Sequence, residues 1–161
     1  MTITIKEAMK KINFLQQQLS GLLNDEQLNN YTMYIEIKDK EETDYDFDAI
    51  TREMDDLQNQ VLLLRRAVNK ANQETLVGIK DYTISDSLVK IGLLNEKANR
   101  LRDLSTYKQR ERSTTYNGVI ETTERLYDVK IAHQQYMDTV EEIHSLQTAI
   151  DKANILTEIN I

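Results

Sequence analysis

At 161 residues the chain has the length of one domain; it lacks Pro and has only four Gly, a composition suited to long unbroken helices. A net charge of −7 argues against non-specific coating of DNA, and 29% charged residues fit helices with broad wet faces. No apolar run approaches the ~20 residues that span a bilayer, the start Met1–Glu7 lacks a signal-peptide apolar segment, and Cys is absent, so the expectation is a cytoplasmic protein without a membrane partner.

In chain order, Thr4 and Glu7 form the Thr-x-x-Glu pattern of a capping box. A ladder of Ile5, Ala8, Ile12, Leu15, Leu19 and Leu22 follows, predicting a first helix over 5–28. Asn29-Asn30 interrupts it. The segment to about Asp46 is acidic, and its patch Tyr31–Ile37 reads as a short strand or an ordered loop. Asp46 or Asp48 can cap a second helix over 47–75, roughly 42 Å long at ~1.5 Å per residue. It carries an unbroken 4-3 ladder: Ile50, Met54, Leu57, Val61, Leu64, Val68 and Ala71.

Leu76–Thr83 is a connector with Gly78, after which Thr83 or Ser85 caps a third helix over 85–108. Its expected face is Leu88, Ile91, Leu94, Ala98, Leu101 and Ser105. The polar stretch Gln109–Gly118 breaks the pattern; Val119-Ile120 then reads as a strand able to form a small ribbon with Tyr34-Ile35. Asp128 can cap a fourth helix over 128–156, with the seam Val129, Ala132, Tyr136, Val140, Ile143 and Ile150. Gln147 occupies one seam position, where Leu146 beside it can take over. The expected fold is all-α: one domain over 1–161, a bundle of about four long antiparallel helices with coiled-coil-like seams and one small β-ribbon from the connectors.

Leu23, Leu62, Leu63, Val89 and Ile131 lie outside these stripes, and their expected fate is packing in the bundle together with contact to another copy. Acids outnumber bases twelve to three from Asp25 to Asp56, whereas Lys97–Arg112 is basic, six to two. These segments are either two solvated surfaces or the complementary ends of neighbouring subunits. The predicted partner is therefore the chain itself, as a homo-oligomer.

Three segments together resemble a family of small bacterial proteins named after septicolysin. The first, Leu64-Arg65-Arg66-Ala67-Val68-Asn69-Lys70-Ala71-Asn72, is similar to the family's Arg-Ile-Asn-x-Thr-Asn stretch. The others are the helix Asp86–Leu104 and the end segment, which opens at Asp128 and closes on Leu146–Asn154. Ala71 stands where the family has Thr, and Ile155 where it has Trp. The resemblance spans nearly the whole chain. It implies a long-helix bundle assembling into a ring-like or cage-like homo-oligomer, and the family label implies a membrane-active toxin.

Arg65, Asn69 and Asn72 form a polar stripe beside the second ladder, and Arg66 and Lys70 continue it at an i,i+4 step. Guanidinium forks and amides in such a stripe can clamp an anion; alternatively it is a buried network that sets helix register. Arg110, Arg112 and Tyr116 in the third connector can stack on a planar ring or form a rim of ion pairs. His133 and His144 are eleven residues apart, ~16 Å along a helix, too far to share one metal within a chain. No cysteine nucleophile, His-Glu-x-x-His, Gly-rich phosphate loop or Gly-x-Ser-x-Gly is present. Glu141-x-x-His144 occurs once, where a di-metal bundle needs two such motifs.

The expected function is non-enzymatic: a homo-oligomer that holds a small anionic, nucleotide-like ligand in pockets between subunits, such as a phage-type sponge. Arg65, Arg66, Asn69, Lys70, Asn72, Arg110, Arg112 and Tyr116 are the candidate ligands, with no cofactor, metal or nucleic-acid polymer. The alternatives are a structural or partner-binding oligomer without ligand and the toxin implied by the family label.

Overall fold

The computed structural model describes residues 2–161. Four α-helices run through them: α1 (Ile5–Asn29), α2 (Phe47–Glu74), α3 (Ile84–Ser105) and α4 (Val129–Leu156). The chain is 66% helical. Four short strands, β1 (Thr2–Thr4), β2 (Arg110–Thr114), β3 (Ile120–Glu124) and β4 (Glu158–Asn160), form two antiparallel pairs, β1 with β4 and β2 with β3. Two compact units result, one of residues up to Asn72 with Asn154–Ile161, the other of Gln73–Ala153.

The first unit begins at a complete capping box. The Glu7 amide donates to Thr4 Oγ1 at 3.2 Å, and the Thr4 amide donates to the Glu7 carboxylate at 2.8 Å. These hydrogen bonds to the charged form, first from the Thr4 backbone and then from its hydroxyl, hold the Glu7 carboxyl below its ordinary value. Along α1, Ile5, Ala8, Ile12 and Leu15 are buried, and Leu19 and Leu22 only half-buried. Along α2 the order reverses: Ile50, Met54, Leu57 and Val61 are half-buried, whereas Leu64, Val68 and Ala71 are buried. Asp46 Oδ1 caps α2 by accepting from the Ala49 amide at 3.0 Å. The connector holds a single 3-10 turn at Ile37–Asp39, and Tyr45 ties it to α1 by donating to Glu26 at 2.9 Å. That bond, whose acceptor is a carboxylate, raises the Tyr45 hydroxyl above its ordinary value. In the β1–β4 pair, Thr2, Ile3 and Thr4 face Asn160, Ile159 and Glu158.

The second unit opens with a tight turn. The Val77 amide donates to Tyr82 O at 2.9 Å and the Tyr82 amide to Ile79 O at 3.0 Å. Lys80 (φ 48°) and Asp81 (φ 55°) are both left-handed, as in a type I′ turn. Thr83 and Asp86 then form a second capping box, and their hydrogen bonds, side chain before backbone, lower the Asp86 carboxyl. Leu94, Ala98, Ile143 and Leu146 make the buried centre of this unit, with Ile79, Tyr82, Ile91 and Tyr136 packed against it. Asp128 Oδ1 caps α4, accepting from the Lys130 and Ile131 amides at 2.8 and 3.2 Å.

Several expectations are corrected. On α3 the seam residue is Ser87, fully buried, while Leu88 is 52% exposed. On α4 it is Thr139, 2% exposed, while Val140 points outward. Both hydroxyls donate to the carbonyl one turn back, Ser87 to Thr83 at 2.8 Å and Thr139 to Gln135 at 2.7 Å. With no polar atom left unsatisfied, a small side chain fits the seam and the larger apolar neighbour stays outside. The α4 ladder is therefore Ala132, Tyr136, Thr139, Ile143, Leu146, Ile150 and Ala153, with Leu146 rather than Gln147 inside. Helix α3 stops at Ser105, before 108, where the Ser105 and Thr106 hydroxyls donate to the carbonyls of Arg102 and Asp103, both at 2.7 Å. The ribbon pairs β2 with β3, within one connector, and Tyr34-Ile35 takes no part in it. Leu23, Leu62, Leu63, Val89 and Ile131 are all exposed, so packing within the chain does not account for them.

Candidate functional site

In the first unit, the α2 stripe presents Arg65, Arg66, Asn69 and Lys70 to solvent. The register network expected as an alternative requires burial, which these four lack within the chain. Asn72 is half-buried, and its Oδ1 is enclosed without a hydrogen-bond partner. Among the described residues the ion pairs are Lys38–Glu36, Lys80–Glu142, Arg102–Asp103 and Arg110–Glu124. Arg65, Arg66 and Lys70 thus have no carboxylate partner among the described residues. Arg66 and Lys70 at an i,i+4 step repel one another, a small cost that an anion bound between them would reverse. A hollow of about 420 Å³ lies elsewhere in this unit, lined by Lys11, Gln60, Leu63, Leu64 and Ala67 with Asn160 and Ile161. It does not take in the stripe.

In the second unit, Arg110, Arg112 and Tyr116 belong to the β2–β3 ribbon and its turn. Arg110 faces Glu124 across the ribbon and binds it through Nε at 2.9 Å and Nη2 at 2.8 Å. Both contacts end on one oxygen, Glu124 Oε1, and this charge-assisted pair takes Arg110 out of the set of free anion ligands. Arg112 faces Thr122 and has no carboxylate partner among the described residues, and Tyr116 is wholly exposed in the turn.

The residues that organise the ribbon are not among the candidate ligands. Gln109 donates through Nε2 to the carbonyls of Arg125 (3.0 Å) and Tyr127 (2.9 Å), and its Oε1 accepts from the Val129 amide at 3.0 Å. One side chain thereby locks the ribbon's root to the start of α4. The Arg125 guanidinium stacks 4.0 Å above the Tyr107 ring, and the Tyr127 hydroxyl donates to Leu104 O at 2.8 Å. No spacing rule singles out such a glutamine; only the polar run around it hints at a built connector. A shallow hollow of about 850 Å³ lies beside this root, lined by Gln109 and 124–130.

His133 and His144 are both exposed, and among the described residues no three His, Cys, Asp or Glu are grouped to hold a metal ion. His133 meets Tyr136 ring to ring at 6.4 Å.

No protein-family model matches the chain, and no curated protein matches it. It is similar in fold to the crystal structure of a functionally unknown conserved protein from Corynebacterium diphtheriae, with a TM-score of 0.69 and 17% identity, over 99% of this chain and 100% of that one.

Proposed function

We propose that the chain is a non-catalytic, cytoplasmic, self-assembling helical protein that holds a small anionic ligand, of nucleotide-like chemistry, between its copies. In this reading the four helices form an antiparallel bundle with coiled-coil-like seams, close to the septicolysin-like proteins it resembles. The observation that carries the ligand is the set of three cations, Arg65, Arg66 and Lys70, standing within six residues on the wet face of α2 with no carboxylate partner among the described residues. Anion binding needs such a set. Helix packing does not, because exposed like charges gain nothing from one another. Neither a membrane nor a nucleic-acid polymer is required.

Native mass spectrometry of protein purified gently from its host, followed by denaturation, tests the reading. The expected result is an oligomer with stoichiometric extra mass that is released as a small anion and is lost in Arg65→Ala. An Arg65→Ala variant that keeps both assembly and every bound ligand would sink it.

A ligand-free structural oligomer is the second reading, favoured by the exposed apolar side chains of Leu63, Val89 and Ile131, which are 62%, 64% and 57% accessible. It expects an oligomer without extra mass, disrupted when Asn69 and Asn72 are replaced by Leu. No helix of the described residues is long and apolar enough to cross a membrane. A toxin reading would instead require leakage from liposomes at micromolar protein.

A further inference from the structure

We propose that the β2–β3 ribbon is a docking arm and that it docks on the α1–α2 connector of a second copy of the chain. This deepens the self-assembly half of the reading above and rests on it.

All ten residues of the two strands are exposed. A two-stranded ribbon with no covering layer is marginal in water, yet this one is fastened at both ends. Gln109 locks the root with three hydrogen bonds. At the tip the Thr115 amide donates to Val119 O at 2.8 Å, the Val119 amide donates to Thr115 Oγ1 at 3.2 Å, and Gly118 takes the left-handed φ of 77° that the turn requires. The fastened tip holds out three apolar side chains: Tyr116, fully accessible, Val119 at 59% and Ile120 at 68%. An arm fixed in shape and left bare on both faces is preorganised for a protein surface.

The ribbon's two faces differ in charge. Strand alternation puts Arg110, Arg112 and Thr114 on one face with Glu124, Thr122 and Ile120. Since Arg110 is neutralised by Glu124, the free charge of that face is Arg112. The opposite face carries Glu111 and Glu121 and no cation. The Arg112 face therefore fits an acidic, partly apolar surface.

The α1–α2 connector has that chemistry. Between Asn30 and Asp46 it carries six acids against Lys38 and Lys40, and Lys38 is already paired with Glu36. Met33, Ile35 and Ile37 are exposed at 84%, 99% and 81%, so the connector too is an apolar surface without a cover. A hollow of about 500 Å³ opens beside it, with the carboxylates of Asp25 and Asp44 set among Leu28, Tyr31, Tyr45 and Ile50. It offers both a counter-charge for Arg112 and an aromatic wall for Tyr116. Because the arm and the connector are different surfaces, two copies can exchange arms about a two-fold axis, or the contact can run head-to-tail and close a ring or extend a filament.

The chain has no cysteine, so engineered pairs report cleanly. Unlabelled and ¹⁵N-labelled Tyr116→Cys, Tyr31→Cys protein is mixed, oxidised and digested, and the linked peptides are weighed. Mixed-isotope disulfides joining Cys at 116 to Cys at 31 are expected; their absence, or links solely within one isotope, overturns the proposal. Independently, Arg112→Glu is expected to weaken self-association roughly 100-fold in sedimentation velocity. Adding Asp44→Arg should restore it, with the helical circular-dichroism signal unchanged in both variants. An Arg112→Glu variant that stays fully assembled overturns the arm, and Arg65→Ala then still decides the ligand separately. A monomeric parent protein overturns both.

Discussion

The α3 and α4 seam contains two hydroxyl residues and is closed around them: Ser87, Thr139 and Leu146 are 0%, 2% and 2% exposed. The α1 and α2 ladders contain none and nevertheless loosen. Ile5 and Ala8 are fully enclosed, but Leu19 and Leu22 are half-buried, and Leu28 at the far end is 71% exposed. Helix α2 mirrors this, half-buried from Ile50 to Val61 and buried from Leu64 onward. Apolar content therefore does not set closure. A small hydroxyl satisfied by its own helix packs as well as an alkyl group, whereas leucine with nothing above it stays wet. The loose end is also the one that carries the acidic connector.

Truncation breaks this comparison most sharply. Leu146→Ala is expected to cost about 2–5 kcal/mol in urea unfolding, and Leu57→Ala, on the half-buried stretch, less than half as much. Equal losses would show that the two seams are equally closed. A medium effect comes from enlarging the hydroxyl position: Ser87→Leu should destabilise by about 1–3 kcal/mol through overpacking, although it makes the seam more apolar. Leu88→Ser, beside it on the wet face, should change stability by no more than about 0.5 kcal/mol. If Ser87→Leu stabilised the protein, the packing argument would fail.

The smallest effect concerns the two capping boxes, one in each unit. Glu7 and Asp86 are both lowered by their threonine partners, so the folded state binds protons more weakly there than the unfolded state does. Their contribution is present above the ordinary carboxyl range of ~4 and is lost as pH falls through the lowered folded values. An NMR titration of the side-chain carboxyl carbons should give midpoints below the ordinary values. Thr4→Ala and Thr83→Ala should each raise the adjoining carboxyl part of the way to its ordinary value, because the backbone amide at 4 or 83 still donates to it; parent midpoints already at those values would remove the effect.

Helices were legible because their signals are local. Thr4 with Glu7, Asp46, Thr83 with Asp86 and Asp128 all cap where the sequence places a start, and the first two ladders run as their spacing predicts. The ladders of α3 and α4 were misread at one rung each, because Ser and Thr do not count as apolar until their hydroxyls are known to be satisfied. The β1–β4 pairing joins residues 158 apart in sequence and leaves only a Thr-Ile-Thr alternation as a trace. The α2 stripe was legible as charge on a helix. Its exposure was not, since a polar residue beside a seam reads the same whether it faces in or out. The role of Gln109 depends on three backbone groups that no spacing brings into view.

The clasp between β1 and β4 also has a mechanical consequence. Thr2 and Asn160 stand side by side at its open end, so a force pulling them apart acts on the ladder as on a zipper. The rungs share no load. They part in turn, Thr2 from Asn160, then Ile3 from Ile159, then Thr4 from Glu158, before tension reaches the bond from Ile5 to Thr157 and the helices beyond. Drawn by handles attached at Thr2 and Asn160 in an optical trap, the molecule should give way first in one small, low-force peel, with its helices still intact.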